Sequence, residues 1–125
     1  MDADKIKKLI DDHPRIFSHL QEISCSNGWY NLLYSLCNTI EFHLKDLPEE
    51  ERNQMYAVQI KSKFGGLRFY CNKTTPFMDG AITLAEELTN NVCEICGSFG
   101  GHKNVNGWYA TLCDTHFLQE LNRKF

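Results

Sequence analysis

No stretch of this sequence approaches the ~20 consecutive apolar residues that a membrane-spanning helix requires. Residues 1–12 alternate charged and apolar positions, so they lack the unbroken apolar centre of a secretory signal. Positive charge is scarce as well: 13 Lys and Arg against 16 Asp and Glu leave a net charge of −3. Nonspecific nucleic-acid binding rests on a global basic field, and this chain has none, so any recognition of an anion must be local. Together these absences lead to the expectation of a cytoplasmic protein with no membrane partner.

What is present suffices for a core. Hydrophobic residues make up 42% of the 125 positions and aromatics 12%, too many for a disordered chain. The length suits one compact domain, read as a helical and β-hairpin core over residues 1–90 and a small metal-stapled unit over 91–125. Six cysteines would fit a disulfide framework in an exported protein. In a reducing compartment a metal site is the better use of them.

Four of the metal-binding residue types are spaced for that use. Cys93-Glu94-Ile95-Cys96 places two thiols with two residues between them, and Cys113-Asp114-Thr115-His116 places a thiol and an imidazole at the same spacing. Each pair can chelate, and together they complete a tetrahedral Cys3His set of the kind zinc takes in structural sites. Four protein ligands close the shell, whereas a catalytic zinc keeps a position for water, so the expected role is structural. Glu94 and Asp114 flank the ligands, either as supporting groups or as solvated acids.

The apolar spacing predicts helices over 3–12, 15–24, 29–44 and 77–88. The strongest is 29–44, with Trp29, Leu32, Leu33, Leu36, Ile40 and Leu44 on one face. Residues 48–52 form a charged connector. Between these helices the period changes to alternation. Residues 57–64 and 67–72 flank Gly65-Gly66, read as a two-residue hairpin turn that sets Phe64 opposite Leu67 and Ser62 opposite Phe69. This register buries Phe64, Leu67 and Phe69, turns Cys71 to the core, and leaves Lys61, Lys63, Arg68 and Tyr70 on a solvent-facing side. The last segment reads as knuckle, hairpin and helix, with Asn106-Gly107 as the second turn and ligands at the helix N-terminus, an order that resembles a treble clef. Phe117, Leu118 and Leu121 give that helix a side to dock. The expected fold class is therefore α+β: helices packed on a small antiparallel hairpin or sheet, closed by a treble-clef-like zinc unit. Asn27-Gly28-Trp29-Tyr30 and Asn106-Gly107-Trp108-Tyr109 echo one another, which we read as shared turn-plus-aromatic chemistry.

The run Lys63-Phe64-Gly65-Gly66-Leu67-Arg68-Phe69-Tyr70, the Cys93-Glu94-Ile95-Cys96-Gly97 knuckle, Gly107-Trp108 and the closing Thr111-Leu112-Cys113 to His116 resemble a family of small uncharacterised bacteriophage and bacterial proteins. The resemblance spans residues 28–117 and is most specific in its last two thirds. It implies a phage or bacterial cytoplasmic protein and supports the four zinc ligands. It brings no activity with it.

Three functional readings follow. The leading one is a non-enzymatic, zinc-stabilised binding protein that modulates a host process, such as defence or transcription, through a host or phage protein or a phosphate-bearing ligand. In it Lys61, Lys63, Arg68 and Tyr70 form the recognition face, offering charge for a phosphate and a ring for a base. The second is a nucleic-acid-binding module on the same cations. The third is a nuclease of the His-metal type, for which His102 would be the general base; no acidic residue accompanies it between Cys96 and Cys113. Cys25, Cys37 and Cys71 read as packing thiols, and His13, His19 and His43 as residues of helix surfaces. Trp108 and Tyr109 are expected to pack across the zinc hairpin.

Overall fold

The computed structural model describes residues 1–123. Helical periodicity governs both ends of the N-terminal half. Helix α1 (Ala3–Asp12) buries Leu9, and α2 (Tyr30–Leu44) buries Leu33, Leu36, Ile40 and Leu44 of the stripe expected from their spacing, with Cys37 beside them and Leu32 half-buried. A single turn, α3 (Glu49–Arg52), forms the charged connector. Helix α4 (Pro76–Leu88) starts where Thr75 Oγ1 accepts from the Met78 amide at 3.1 Å and proline takes the first turn, where its missing N–H costs nothing. It packs on α2 through Met78, Ile82 and Ala85. The last helix, α5 (Asp114–Leu121), is short and buries none of its residues fully.

Two sheets sit among these helices. One has three strands in the order β1 (Glu22–Ser24), β2 (Ala57–Lys63), β3 (Gly66–Cys71); the other is the hairpin β4 (Gly101–Val105) with β5 (Trp108–Leu112). The class is α+β, with five α-helices among the described residues. Residues 15–24 differ from expectation. Ile16, Phe17, Leu20 and Ile23 have helical spacing, yet the chain makes turns and then a strand, β1, which pairs parallel to β2. Three residues of ladder next to a buried core outweigh the intrinsic preference of a short segment.

The β2–β3 register is corrected by two residues. Lys63 faces Gly66, Ser62 faces Leu67, Lys61 faces Arg68 and Ile60 faces Phe69. The turn is therefore Phe64-Gly65 rather than Gly65-Gly66, with φ of 54° and 80°. Two successive positive φ values suit the right-handed twist of the flanking strands, and the hairpin accepts a strained phenylalanine to obtain them. Phe64, expected in the core, is 71% exposed at the tip. A slip of one would have turned every side chain over, but a slip of two preserves the faces. Ile60, Leu67 and Phe69 accordingly remain buried, and Lys61, Lys63, Arg68 and Tyr70 remain together on the other side.

Strand β3 lies at the sheet edge, but its outward amides are occupied. Leu67 N donates to Thr89 Oγ1 at 3.2 Å and Phe69 N donates to Glu86 Oε2 at 2.9 Å, both acceptors belonging to α4 or the turn that follows it.

His13 is also corrected. It ends α1 facing inward, 3% exposed, edge-on to the Tyr34 ring at 5.0 Å, and neither ring nitrogen has a hydrogen-bond partner among the described residues. His43, by contrast, bonds Thr75 Oγ1 at 2.8 Å and stacks on Phe77, and His19 stacks on Tyr56.

Two outcomes test this packing. Phe69→Ala should cost about 3–5 kcal/mol as a core truncation, whereas Phe64→Ala should stay within about 0.5 kcal/mol. Equal losses in denaturant unfolding would return the turn to Gly65-Gly66. The second concerns pH. Desolvation lowers the His13 pKa below 6.5, against the opposing charges of Glu41 and Asp12. A depressed pKa in the fold means stability that is complete above the unfolded value and lost as pH falls through the folded one. The melting temperature should drop more steeply below about pH 6.5 than in His13→Phe; parallel profiles would show that His13 contributes nothing to acid unfolding.

Candidate metal centre

The site is assembled from three local structures. Gly97, at φ 79°, closes the knuckle by donating its amide to Cys93 O at 2.9 Å, which turns Cys93 and Cys96 toward a common point. Asn106-Gly107, with φ of 54° and 92°, turns β4 into β5. Helix α5 then opens on Cys113, whose Sγ accepts from the His116 amide at 3.5 Å. The second ligand pair thus sits at a helix N-terminus, where exposed amides and the helix dipole favour a thiolate.

The four donors converge. Cys93 Sγ, Cys96 Sγ, Cys113 Sγ and a ring nitrogen of His116 all lie within 4.8 Å of one another. Cys96 Sγ is 3.8 Å from Cys113 Sγ, and His116 Nδ1 is 3.7 Å from Cys93 Sγ and 3.2 Å from Cys113 Sγ. A tetrahedral ion with metal–sulfur bonds of about 2.3 Å and metal–nitrogen bonds of about 2.05 Å would set edges of about 3.8 and 3.6 Å, so the donor set fits a metal ion. Its electrostatics point the same way. Hydrogen bonds from Ser98 lower the Cys96 thiol to about 6. At Cys113 the His116 amide pulls downward, but desolvation and the adjacent sulfurs outweigh it and the thiol rises. Three sulfurs so close resist simultaneous ionisation, and a cation at their centre removes that resistance.

Around the donors, the two flanking acids have different fates. Asp114 is a solvated acid, 94% exposed at its side chain and 3.4 Å from Lys103 Nζ. Glu94 is a structural hub. Its carboxylate accepts from Thr111 N at 2.7 Å and Ser62 Oγ at 3.2 Å, and its carbonyl accepts from Gly28 N at 2.7 Å. Desolvation raises its pKa against the pull of those hydrogen bonds.

The seat beneath the knuckle was not foreseen. Trp29 is fully buried and donates Nε1–H to Val92 O at 2.9 Å. A Cβ on Gly28 would stand 2.1 Å from Cys93 O, so only glycine allows this approach. The echo of Asn-Gly-Trp-Tyr marked both segments, yet they diverge: Trp29 is fully buried, while Trp108 is 76% exposed. Trp108 and Tyr109 therefore do not pack across the zinc hairpin as expected. Nor do Leu118 and Leu121 dock; only Phe117 of that trio leans on the small cluster of Cys93, Val105 and Leu112.

The remaining candidates are placed as follows. Lys61 and Arg68 are half-buried, Lys63 and Tyr70 are exposed, and none of the three cations is in an ion pair among the described residues. The acidic connector does not reach them. His102 bonds Asn90 Oδ1 at 3.0 Å, and Cys93, Cys96, Cys113 and His116 are the one metal-competent group among the described residues. Burial raises the thiols of Cys25 and Cys71, to about 11 and about 12, and that of Cys37 further. Inert packing groups behave this way. Among the described residues, no helix is long and apolar enough to cross a membrane.

Gly28→Ala should loosen the metal from a position far from the ligands in sequence. Displacing the knuckle carbonyls should let a chelator strip the ion at a concentration about tenfold lower, the scale seen when supporting residues of metal sites are lost. Gly80→Ala, where an added Cβ meets nothing within 4 Å, should leave the chelator midpoint unchanged. Equal midpoints for Gly28→Ala and the native protein would show that the seat does not tune the site.

No known protein family, curated protein or solved structure matches this chain.

Proposed function

We propose that this is a non-enzymatic binding protein, stabilised by one zinc ion, that recognises a negatively charged partner through the face of β2 and β3 bearing Lys61, Lys63, Arg68 and Tyr70. The observation that carries the reading is the grouping, on one side of a hairpin, of three cations in no ion pair among the described residues, in a chain of net charge −3. The metal belongs to the scaffold. Three thiolates and an imidazole suit zinc better than the oxygen-seeking divalent ions, and four protein donors leave no position for a reacting water. We read the knuckle, hairpin and helix as treble-clef-like. The narrower placement, a phage protein acting on a host defence or transcription factor in the host cytoplasm, is supported by the motif resemblance alone.

A few cations favour a compact anion or an acidic protein patch over long duplex DNA, which spreads its phosphates over more contacts. Elemental analysis of protein purified without chelator should find one zinc per chain, and Cys96→Ser should lower both zinc content and melting temperature. A metal-free native protein of undiminished stability would overturn the metal assignment. The triple change Lys61→Ala, Lys63→Ala, Arg68→Ala should abolish recovery of the anionic partner, followed by mass spectrometry of co-purifying proteins and small molecules, with zinc content intact. Recovery at native levels would overturn the face as a recognition surface.

A further inference from the structure

The tip of the β2–β3 hairpin rests on the body of β5. Thr111 Oγ1 of β5 donates to Gly65 O at 2.5 Å, and a Cβ on Gly65 would lie 3.0 Å from the Ala110 carbonyl carbon. This contact leaves a cleft on each side, one of about 570 Å3 and one of about 780 Å3. Lys63, Phe64 and Tyr109 line both. Either volume falls in the size class of small-ligand sites, roughly 300–1,000 Å3.

The smaller cleft carries the charge. Arg68 donates to Leu67 O at 3.0 Å through one Nη, and that nitrogen lies 3.2 Å from where a Cβ on Gly66 would be. Asn90 Oδ1, the partner of His102, lies 3.6 Å from the same point. The absent side chain of Gly66 is therefore the gap between a guanidinium and the Asn90–His102 pair. Gly66 has no positive φ, so the turn does not demand glycine there. Space does. Lys63 Nζ, 5.8 Å from the Phe64 ring centroid, stands at the same opening. Acids also line it: Glu86 is committed to the Phe69 amide, which leaves Glu87 to oppose a ligand of uniformly high negative charge. The rings complete the set. Phe64 and Tyr109 are 71% and 53% exposed, and large rings left in water beside cations in no ion pair among the described residues mark a stacking surface.

We propose that the smaller cleft, between the tip of the β2–β3 hairpin and the β4–β5 hairpin, takes a nucleotide unit, its phosphate held by Lys63, Arg68 and His102 and its base against Phe64 and Tyr109. This rests on the reading of the cationic face as the recognition surface and names its ligand chemistry. One anionic group joined to a flat aromatic matches one cationic end joined to exposed rings, and a free nucleotide or a single strand of nucleic acid would present it equally.

The test is titration calorimetry of the zinc-loaded protein with a mixture of the four nucleoside monophosphates, ribose 5-phosphate, the free nucleosides, and a mixed-sequence single-stranded octanucleotide. The monophosphates or the octanucleotide should bind saturably, and ribose 5-phosphate and the nucleosides should each bind about tenfold more weakly or worse, since stacking and charge each carry that much. Octanucleotide binding that exceeds monophosphate binding and falls steeply with salt assigns the source to a strand; equal binding assigns it to the free nucleotide. Gly66→Ala, which adds no charge, and Lys63→Ala with Arg68→Ala should each weaken binding about tenfold at unchanged zinc content. Ribose 5-phosphate binding as well as the monophosphates, no binding by monophosphates and octanucleotide alike, or native affinity in the Lys63/Arg68 variant would overturn the proposal. A co-purifying acidic protein that the triple variant loses, with no nucleotide bound, overturns this inference while leaving the recognition face in place.

Discussion

The rest of the structure depends on the seat that Gly28 and Trp29 provide for the backbone of residues 92–94. Trp29 fills the core with its ring and spends its only polar group on the Val92 carbonyl, while the Gly28 amide takes the Glu94 carbonyl. An indole buried with its N–H satisfied is both a large apolar contribution and a fixed direction. It also explains how a unit whose buried hydrophobic cluster is Cys93, Val105 and Leu112 holds a defined geometry. So small a cluster cannot order its chain by burial alone. It borrows order from the helical body on one side and from the metal-competent donors on the other.

A second attachment runs through Glu94. By bonding Ser62 on β2 and Thr111 on β5, its carboxylate ties the first sheet to the second from within the knuckle. With Thr111 also reaching Gly65, the tip of the β2–β3 hairpin cannot shift without moving β5. Ligand geometry and the position of the cationic strands are consequently parts of one hydrogen-bonded frame.

Much of this was legible in the residues. The long helix, the helix over 77–88, the Asn106-Gly107 turn and the Cys3His set each carry a signal stronger than the surrounding noise: period, turn chemistry and chelating spacing. The cationic face survived an incorrect turn because a shift of two residues conserves side-chain parity. Four features were not legible, for different reasons. Ile23 has helical spacing but lies in a strand because β2 offered it a partner, information that lies far along the chain. Phe64 reads as a core residue, and only the need for two positive φ values puts it at the tip. Gly28 and Trp29 look like a turn with an aromatic, and their role depends on a backbone approach that no local pattern encodes. His13 belongs with these, since a polar ring after a helix gives no sign of facing inward.

The occupied edge of β3 has a consequence for the life of the chain before it is fully folded. Thr89 and Glu86 are held by α4 and its following turn, so until that helix docks, the amides of Leu67 and Phe69 face outward from an apolar strand. A bare edge of that composition is a template for strands of other molecules. The helix therefore acts as a guard against self-association as well as a wall of the core. Crowded or rapid synthesis would penalise any weakening of α4 through insoluble product long before it registered as a loss of folded stability.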